Sequence, residues 1–147
     1  MIEGYKITTD QSKMNFAIIH GFIANSYWAK GIPESTLKKA MANSLCFAIL
    51  TEAGDQVGFA RMISDYATFA YLADVFIDEA HRGKGLSKWL MATIVEHPQL
   101  QGLRRALLAT ADAHGLYQQY GFTPLKNPGN FMECWVPDIY SKGENNG

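Results

Sequence analysis

Apolar and polar positions along this chain of 147 residues recur with two different periods. Short alternating or continuous apolar runs between turn residues predict six strands, at 4–8, 45–51, 56–63, 68–77, 105–110 and 130–136. Apolar positions three and four apart predict four helices, one ending at Gly31, one over 33–43, one ending near Pro98 and one over 112–120. The order β-α-α-β-β-β-α-β-α-β predicts an α/β fold, with a mixed sheet and helices on both faces.

Composition limits the classes of function. The chain has 13 Lys and Arg residues and 14 Asp and Glu residues, and its net charge of −1 does not attract nucleic acid or an anionic membrane. It contains neither an apolar run long enough to span a bilayer nor a signal-peptide pattern. We therefore expect a cytoplasmic protein with no nucleic-acid or membrane partner. One domain over 1–140 is predicted, followed by a polar, disordered tail at 141–147.

The stretch from Val75 to Leu90 carries the most specific chemistry. It is predicted to be a buried strand, a short basic loop rich in glycine, and an amphipathic helix. Unpaired N–H groups at a helix N-terminus, close backbone approach at glycines, and the charges of Arg82 and Lys84 together make an anion site that fits a diphosphate. A Walker A loop is excluded because Asp78 stands at its first glycine position. A dinucleotide fingerprint is excluded because Lys88 stands at its third.

Two motifs resemble one known family. The residues Arg82-Gly83-Lys84-Gly85-Leu86-Ser87, called the glycine loop below, resemble the Arg/Gln-x-x-Gly-x-Gly/Ala loop of the GNAT superfamily of acyl-CoA-dependent N-acetyltransferases. Ser87 departs from that pattern, but serine is small and its hydroxyl can donate to a phosphate. The segment from Leu107 to Phe122 resembles the strand and helix of the same superfamily, although Thr110 stands where many members carry Asn. The resemblance covers nearly the whole chain, from about Tyr5 to Asp138.

The resemblance implies acetyl-CoA as the cosubstrate. In this superfamily the strand before the loop and the next parallel strand splay apart, and the pantetheine arm lies in that wedge like an added strand. The diphosphate, at the end of the pantetheine arm, is then expected to lie at the glycine loop. The cofactor contacts implied in this way are with Val75, Phe76, Ile77, Arg82, Gly83, Lys84, Gly85, Leu86, Ser87 and Thr110.

The resemblance also implies direct attack by an amine on the thioester, without a covalent enzyme intermediate. A strand backbone amide, that of Val75, is expected to hold the oxyanion. Tyr117 matches the family's Leu-Tyr position and is expected to protonate the departing thiolate as general acid. The alternative is that Tyr117 and Tyr120 only form an aromatic face against the sheet.

The general base is less well specified by sequence. Asp74 lies in the strand beside the expected thioester site and is a candidate to relay the amine's proton. The competing interpretation is an ion pair between Asp74 and Arg61 across antiparallel strands, and it is slightly favoured. His114 and Tyr71 are weaker candidates, since a bulge near Val75 would change which face each presents.

The acceptor is expected to be an amine of a small molecule or a peptide. Tyr27 and Trp28, at the end of the first helix, are predicted to line its pocket, because the N-terminal helices cover the acceptor side in this superfamily. Packing at a helix end is the alternative. A non-catalytic acyl-CoA-binding module is the rival function, and it would not need Tyr117. Monomer and homodimer both stay open, since the final strand at 130–136 is able to pair with a second copy.

Cysteines and histidines are scattered without metal-ligand spacing, so no metal is predicted. Cys46 and Cys134 both fall in predicted strands and are expected to be thiols rather than a disulfide. Trp89 and Trp135 are expected in the core.

Overall fold

The structure, a computed structural model, describes residues 1–141 as a five-stranded sheet with helices on both faces. Its strands are β1 (Tyr5–Thr8), β2 (Leu45–Thr51), β3 (Gln56–Ser64), β4 (Phe69–Ile77) and β5 (Arg105–Leu108). Its helices are α1 (Phe16–Ala24), α2 (Glu34–Ala42), α3 (Leu86–Glu96) and α4 (His114–Gln118). The tail predicted at 141–147 lies, from residue 142 onward, outside the described residues.

The strands lie side by side in chain order, and only β4 and β5 are parallel. Their pairing starts with Phe69 beside Arg105 and ends with Leu72 beside Leu108. β4 then continues to Ile77, while the chain leaves β5 after Leu108. Among residues 1–141, no strand pairs with the second half of β4 on that side, and the predicted wedge between the two strands is present.

A bulge interrupts β4 next to this wedge. Phe59 pairs with Phe76 and Arg61 with Ala73, so two β4 residues, Asp74 and Val75, lie opposite a single β3 residue. Asp74 has a φ of 58°, in the left-handed region. The extra residue reverses the alternation of side chains beyond it, so that Phe76 packs on the α1–α2 face instead of the α3–α4 face.

Each face of the sheet carries its own apolar cluster. On one face, α1 and α2 pack against β2, β3 and β4 through Ile19, Ile23, Leu37, Met41, Phe59 and Phe76. On the other, α3 and α4 pack through Leu86, Leu90, Met91, Ile94 and Tyr117. None of the helices within residues 1–141 is long and apolar enough to cross a bilayer.

The predicted sixth strand is wrong for the single chain. Residues 131–136 form neither helix nor strand and pair with no strand in the described part of the chain, and a 3-10 turn at Pro128–Asn130 precedes them. Cys134 is exposed rather than in a strand, and Trp135 is 71% exposed rather than in the core. The physical reason is that strand propensity becomes a strand only where a second backbone supplies hydrogen bonds. Trp89 does pack against the core, from a half-buried position.

Candidate active site

The glycine loop turns the end of β4 into the start of α3. Gly83 and Gly85 both have a φ of 81°, which non-glycine residues rarely adopt. Gly85 is the N-cap of α3 and supplies no side-chain cap. Within residues 1–141, the backbone N–H groups from Gly83 to Lys88 form no hydrogen bond to a protein acceptor. Six consecutive free donors at a helix N-terminus make a preformed anion cradle.

Several contacts hold this loop in place. Arg82 donates from Nε to the carbonyl oxygen of Ile77, over 3.1 Å, at the end of β4. The hydroxyl of Tyr5 lies 2.7 Å from Nδ1 of His81, which fastens β1 to the turn before the loop. Leu86 is anchored in the core, while Lys84 is exposed to solvent. The backbone of the loop is therefore anchored by these contacts, and its two charged side chains are exposed.

A cavity of about 410 Å³ lies beside the end of β5, where the wedge opens. Its lining includes Tyr71 of β4, Thr110 after β5, and His114 and Tyr117 of α4. The structure thus brings the predicted acid, one predicted cofactor contact and both of the weaker base candidates into one cavity. The cavity is predominantly apolar apart from these groups, as expected for a small-ligand site.

Tyr117 is placed with its ring buried and its hydroxyl accessible. The residue is 8% exposed, and its hydroxyl forms no hydrogen bond with the described residues. In that part of the chain, every fully buried side-chain oxygen or nitrogen has a hydrogen-bond partner. The hydroxyl of Tyr117 has none, so it is not fully buried and reaches the cavity surface. Burial raises the pKa of Tyr117, and the nearby Asp112 and Tyr27 raise it further. The hydroxyl is therefore held in its protonated form, as a proton donor requires.

The position of α4 is fixed by its C-terminus and by the turn before it. The N–H of Phe122 donates to the carbonyl of Tyr117 over 3.2 Å, and Gly121 takes a φ of 93°. These are the features of a Schellman termination. Thr110 accepts at Oγ1 from the N–H of Ala113, over 3.1 Å, and keeps its own hydroxyl hydrogen free to donate.

Asp74 lies on the opposite face of β4 and uses both carboxylate oxygens. Oδ2 accepts from Nε of Arg61 over 2.8 Å, so the predicted ion pair is confirmed. Oδ1 accepts from the indole N–H of Trp28 over 2.8 Å. Arg61 also donates to the hydroxyl of Ser44, over 3.1 Å. Asp74 is 8% exposed, so this is a nearly buried and fully paired charge.

Tyr27 and Trp28 present aromatic surface above the bulge. Tyr27 is 76% exposed and Trp28 is 48% exposed, and their rings meet edge to face with centroids 5.1 Å apart. Tyr27 is close enough to Tyr117 to raise its pKa. We call Tyr27, Trp28 and Asp74 together the acceptor surface.

Sequence reasoning missed the contact between Trp28 and Asp74. The two residues are 46 positions apart, and no local pattern indicates such a bond.

Arg104 and Arg105 lie at the end of the sheet where the β4–β5 pairing starts. Eight residues of extended β4 separate that end from the glycine loop, which is about 26 Å, so neither arginine reaches a phosphate bound at the loop.

Within residues 1–141, no group of three or more His, Cys, Asp or Glu side chains is arranged to hold a metal ion. The absence of a metal stays a prediction. Both cysteines are free thiols, and burial raises the pKa of Cys46 to about 12, so only the exposed Cys134 is open to thiol reagents.

The fold and these motifs match known proteins. The sequence profile of the acetyltransferase (GNAT) domain matches residues 42–124, which include the glycine loop and Tyr117. A Gibberella zeae protein named Putative acetyltransferase FG08082 is 31% identical over 135 residues, which cover 77% of this chain and 75% of that protein. This chain therefore belongs to the GNAT acetyltransferases, a family of transferases that move acetyl groups.

Solved structures agree with this assignment. The crystal structure of a GNAT-family protein from Xanthomonas campestris pv. campestris superposes with a TM-score of 0.92 and 50% identity, covering 96% of this chain and 99% of that one. A Clostridium acetobutylicum acetyltransferase solved with acetyl-CoA has a TM-score of 0.64 and 13% identity, covering 91% and 96%. The second likeness concerns the fold alone.

Proposed function

We propose that this protein is an N-acetyltransferase that moves the acetyl group of acetyl-CoA to an amine of a small molecule or peptide, by direct attack. The observations that support the proposal are the free N–H groups of the glycine loop at one end of β4 and the accessible hydroxyl of Tyr117 in the cavity beside β5. The free N–H groups from Gly83 to Lys88 fit a diphosphate, and the hydroxyl of Tyr117 opens into the cavity at the wedge.

Residues of β4 and α4 have separate roles in the proposed reaction. Val75, Phe76 and Ile77 offer the unpaired edge of β4 to an extended arm, although the carbonyl of Ile77 already accepts from Arg82. Bound acetyl-CoA supplies an activated thioester. In this proposal the backbone N–H of Val75 would stabilise the charge that develops on the thioester oxygen, and Tyr117 would donate a proton to the departing sulfur.

The acceptor enters over the opposite face of β4. Tyr27 and Trp28 provide exposed aromatic surface there, which suits an apolar or cationic amine. Asp74 stays the candidate base, and its contacts favour a second role, because Trp28 and Arg61 already occupy both of its oxygens. In that role it fixes the indole ring and the bulge.

The test is acetyl transfer by the full chain to a panel of amines, amino acids, peptides and aminoglycosides, followed by mass spectrometry of the products. This readout avoids thiol reagents, which the exposed Cys134 would consume. We expect an acetylated amine with wild-type protein and a greatly reduced yield with Tyr117→Phe. Acetyl-CoA binding without transfer to any member of a broad panel would favour the non-catalytic acyl-CoA-binding module.

Binding is measured separately from transfer. A ligand that binds only the folded state raises apparent stability by about 2.7 kcal/mol at a hundredfold excess over its dissociation constant. CoA should therefore raise the melting temperature. A folded protein that shows no shift at saturating CoA would reject the cofactor assignment itself.

A further inference from the structure

Residues 2–5, called the N-terminal turn below, lie against the glycine loop although they are far from it in the chain. The N–H of Tyr5 donates to the carbonyl of Ile2 over 3.2 Å, and Gly4 between them has a φ of 88°. The side chains of Ile2 and Tyr5 are both half-buried and pack against the apolar cluster of the α3–α4 face. The carbonyl of Gly4 accepts from the N–H of Glu52 over 3.2 Å, which ties the turn to the end of β2.

Tyr5 reaches the start of the loop across the end of the sheet. β1 is an edge strand, and β2 and β3 lie between it and β4. Three strand spacings of about 4.8 Å place β1 roughly 14 Å from β4. The 3-10 turn at Glu79–His81 leads from β4 back towards β1, and Nδ1 of His81 lies 2.7 Å from the hydroxyl of Tyr5. Their rings also meet edge to face, with centroids 5.7 Å apart, so this contact fixes the point from which the glycine loop begins.

Ile2 makes a second contact, at the other end of the loop. A Cβ added at Gly85 would lie 3.7 Å from Cδ1 of Ile2, which is an ordinary van der Waals separation. Ile2 therefore packs beside the N-cap of α3. The N-terminal turn thus contacts the residue before Arg82 through Tyr5 and the residue before Leu86 through Ile2.

The conformation of the glycine loop depends on contacts from outside the loop. Within residues 1–141, its N–H groups from Gly83 onward donate to no protein acceptor, so no hydrogen bond of their own holds the backbone. Fixing the flexible backbone of two glycines also costs conformational entropy. A ligand that binds one conformation loses affinity in proportion to the fraction of protein that leaves it. Contacts that hold the loop in place therefore raise its affinity for an anion.

We propose that Tyr5 and Ile2 are positioning residues for the cofactor, which hold the glycine loop in its anion-binding conformation and so raise the affinity for CoA. They act through His81 and Gly85 and do not touch the reacting atoms. The bond to His81 forms with either tautomer of the imidazole ring, because a tyrosine hydroxyl both donates and accepts. The inference rests on the proposed binding of CoA at this loop, but the opening of the loop is measurable without any ligand.

The first test is limited proteolysis of the full chain with trypsin, in the absence of ligand. Arg82 and Lys84 are exposed, and cleavage after them requires the loop to open locally. Loss of one hydrogen bond raises the open fraction about fivefold, so Tyr5→Phe and His81→Leu should release peptides ending at these residues about fivefold faster than wild type. The matched control is Tyr66→Phe, in the exposed turn between β3 and β4, which should be cleaved at the wild-type rate. Equal rates in Tyr5→Phe and wild type would overturn the proposal.

A double-variant cycle shows whether the two side chains act through their shared bond. Tyr5→Phe combined with His81→Leu should be cleaved no faster than either single variant, because both remove the same interaction. His81→Asn keeps a hydrogen-bonding atom at the position of Nδ1 and should stay close to the wild-type rate. Additive effects in the double variant, or His81→Asn as fast as His81→Leu, would contradict the assignment.

The second test is calorimetric titration with CoA, with circular dichroism to show that each variant is folded. Tyr5→Phe and Ile2→Ala should each weaken CoA binding about twofold to fivefold, since the loss cannot exceed the rise in the open fraction. In any acetyl transfer, the KM of acetyl-CoA should rise while kcat stays the same. A wild type that binds no CoA rejects the proposed function, whereas equal CoA binding by wild type and both variants overturns only this inference.

Discussion

The glycine loop and the acceptor surface lie at the same strand, β4, but they are built in different ways. The loop consists of consecutive residues, and its proposed function depends on backbone N–H groups that two glycines leave free. The acceptor surface takes Trp28 from the region after α1, Asp74 from the bulge and support from Arg61 of β3. A site made of backbone tolerates side-chain change but no change in φ, whereas a site made of paired side chains depends on every partner.

The largest effect is expected from Gly85→Val, which attacks the loop through its backbone. Valine at a φ of 81° is strained, and its side chain stands where the diphosphate must approach. The loss of two charge-assisted hydrogen bonds weakens CoA binding by about a thousandfold. The measurement is calorimetric titration with CoA.

Gly102→Val is the matched control, because Gly102 has a φ of 73°, open space around it and no part in the loop. Both variants carry the cost of a positive φ, but only Gly85→Val should lose CoA. Equal affinity in the two would show that the phosphate binds elsewhere.

The next effect concerns the paired charge of the acceptor surface. Asp74→Asn leaves the guanidinium of Arg61 nearly buried and without its counter-ion, so the free energy of unfolding should fall by about 3 kcal/mol. Urea denaturation measures this loss. The double variant Arg61→Met with Asp74→Asn should recover much of it.

The same variant separates the two roles of Asp74. A structural Asp74 leaves kcat/KM nearly unchanged once the folded fraction is accounted for. If kcat/KM stays low in the double variant although its stability is restored, Asp74 is the base.

Tyr117→Phe tests the acid where the two regions meet. Positioned general acids contribute a hundredfold or more, and thiolate is a fair leaving group, so turnover should fall about a hundredfold with CoA affinity unchanged. Tyr120→Phe is the control, because its hydroxyl donates to the carbonyl of Lys88 instead of facing the cavity. Unchanged turnover in Tyr117→Phe, with chemistry rate-limiting, would make Tyr117 a packing residue.

The pH profile sharpens this assignment. The pKa of Tyr117 is raised above its ordinary 10.0 by burial, so the acid stays protonated and turnover should hold to about pH 10 before it declines. The stability linked to this group is likewise full below pH 10 and is lost as pH rises through the folded-state pKa. Tyr117→Phe should lack that alkaline decline in turnover.

The smallest effect is expected from Trp28→Phe. A smaller aromatic ring remains, but the indole N–H that binds Asp74 is lost, so the KM of the acceptor should rise about threefold to tenfold with CoA affinity unchanged. Trp89→Phe, in α3, is the packing control. A KM rise shared by both variants would mean general loosening of the domain.

The sequence predicted the local elements well, because their causes are local. Strand β2 and the ends of α2 follow from apolar runs between turn residues, and the glycine loop follows from its spacing. The ion pair of Asp74 with Arg61 was also within reach, since antiparallel neighbours are set by the order of the strands. The hydrogen bond from Trp28 to Asp74 could not be predicted, because no pattern in either segment indicates that the two residues lie together.

The sixth strand shows the limit most clearly. Residues 130–136 have the composition of a strand, and the sequence predicted one, but the single chain leaves them unpaired. Propensity describes how a residue fits a pleated surface, and it cannot supply the neighbouring backbone.

The sequence by itself determined the family, the order of the elements up to α4, and the conformation of the glycine loop, because periodicity and glycine φ are properties of short segments. Only the tertiary structure decided where β4 and β5 part, how a bulge at Asp74 turns Phe76 to the other face, and which side chains meet Tyr117 in one cavity. Those features depend on contacts between residues far apart in the chain, and such contacts exist only once the sheet has formed.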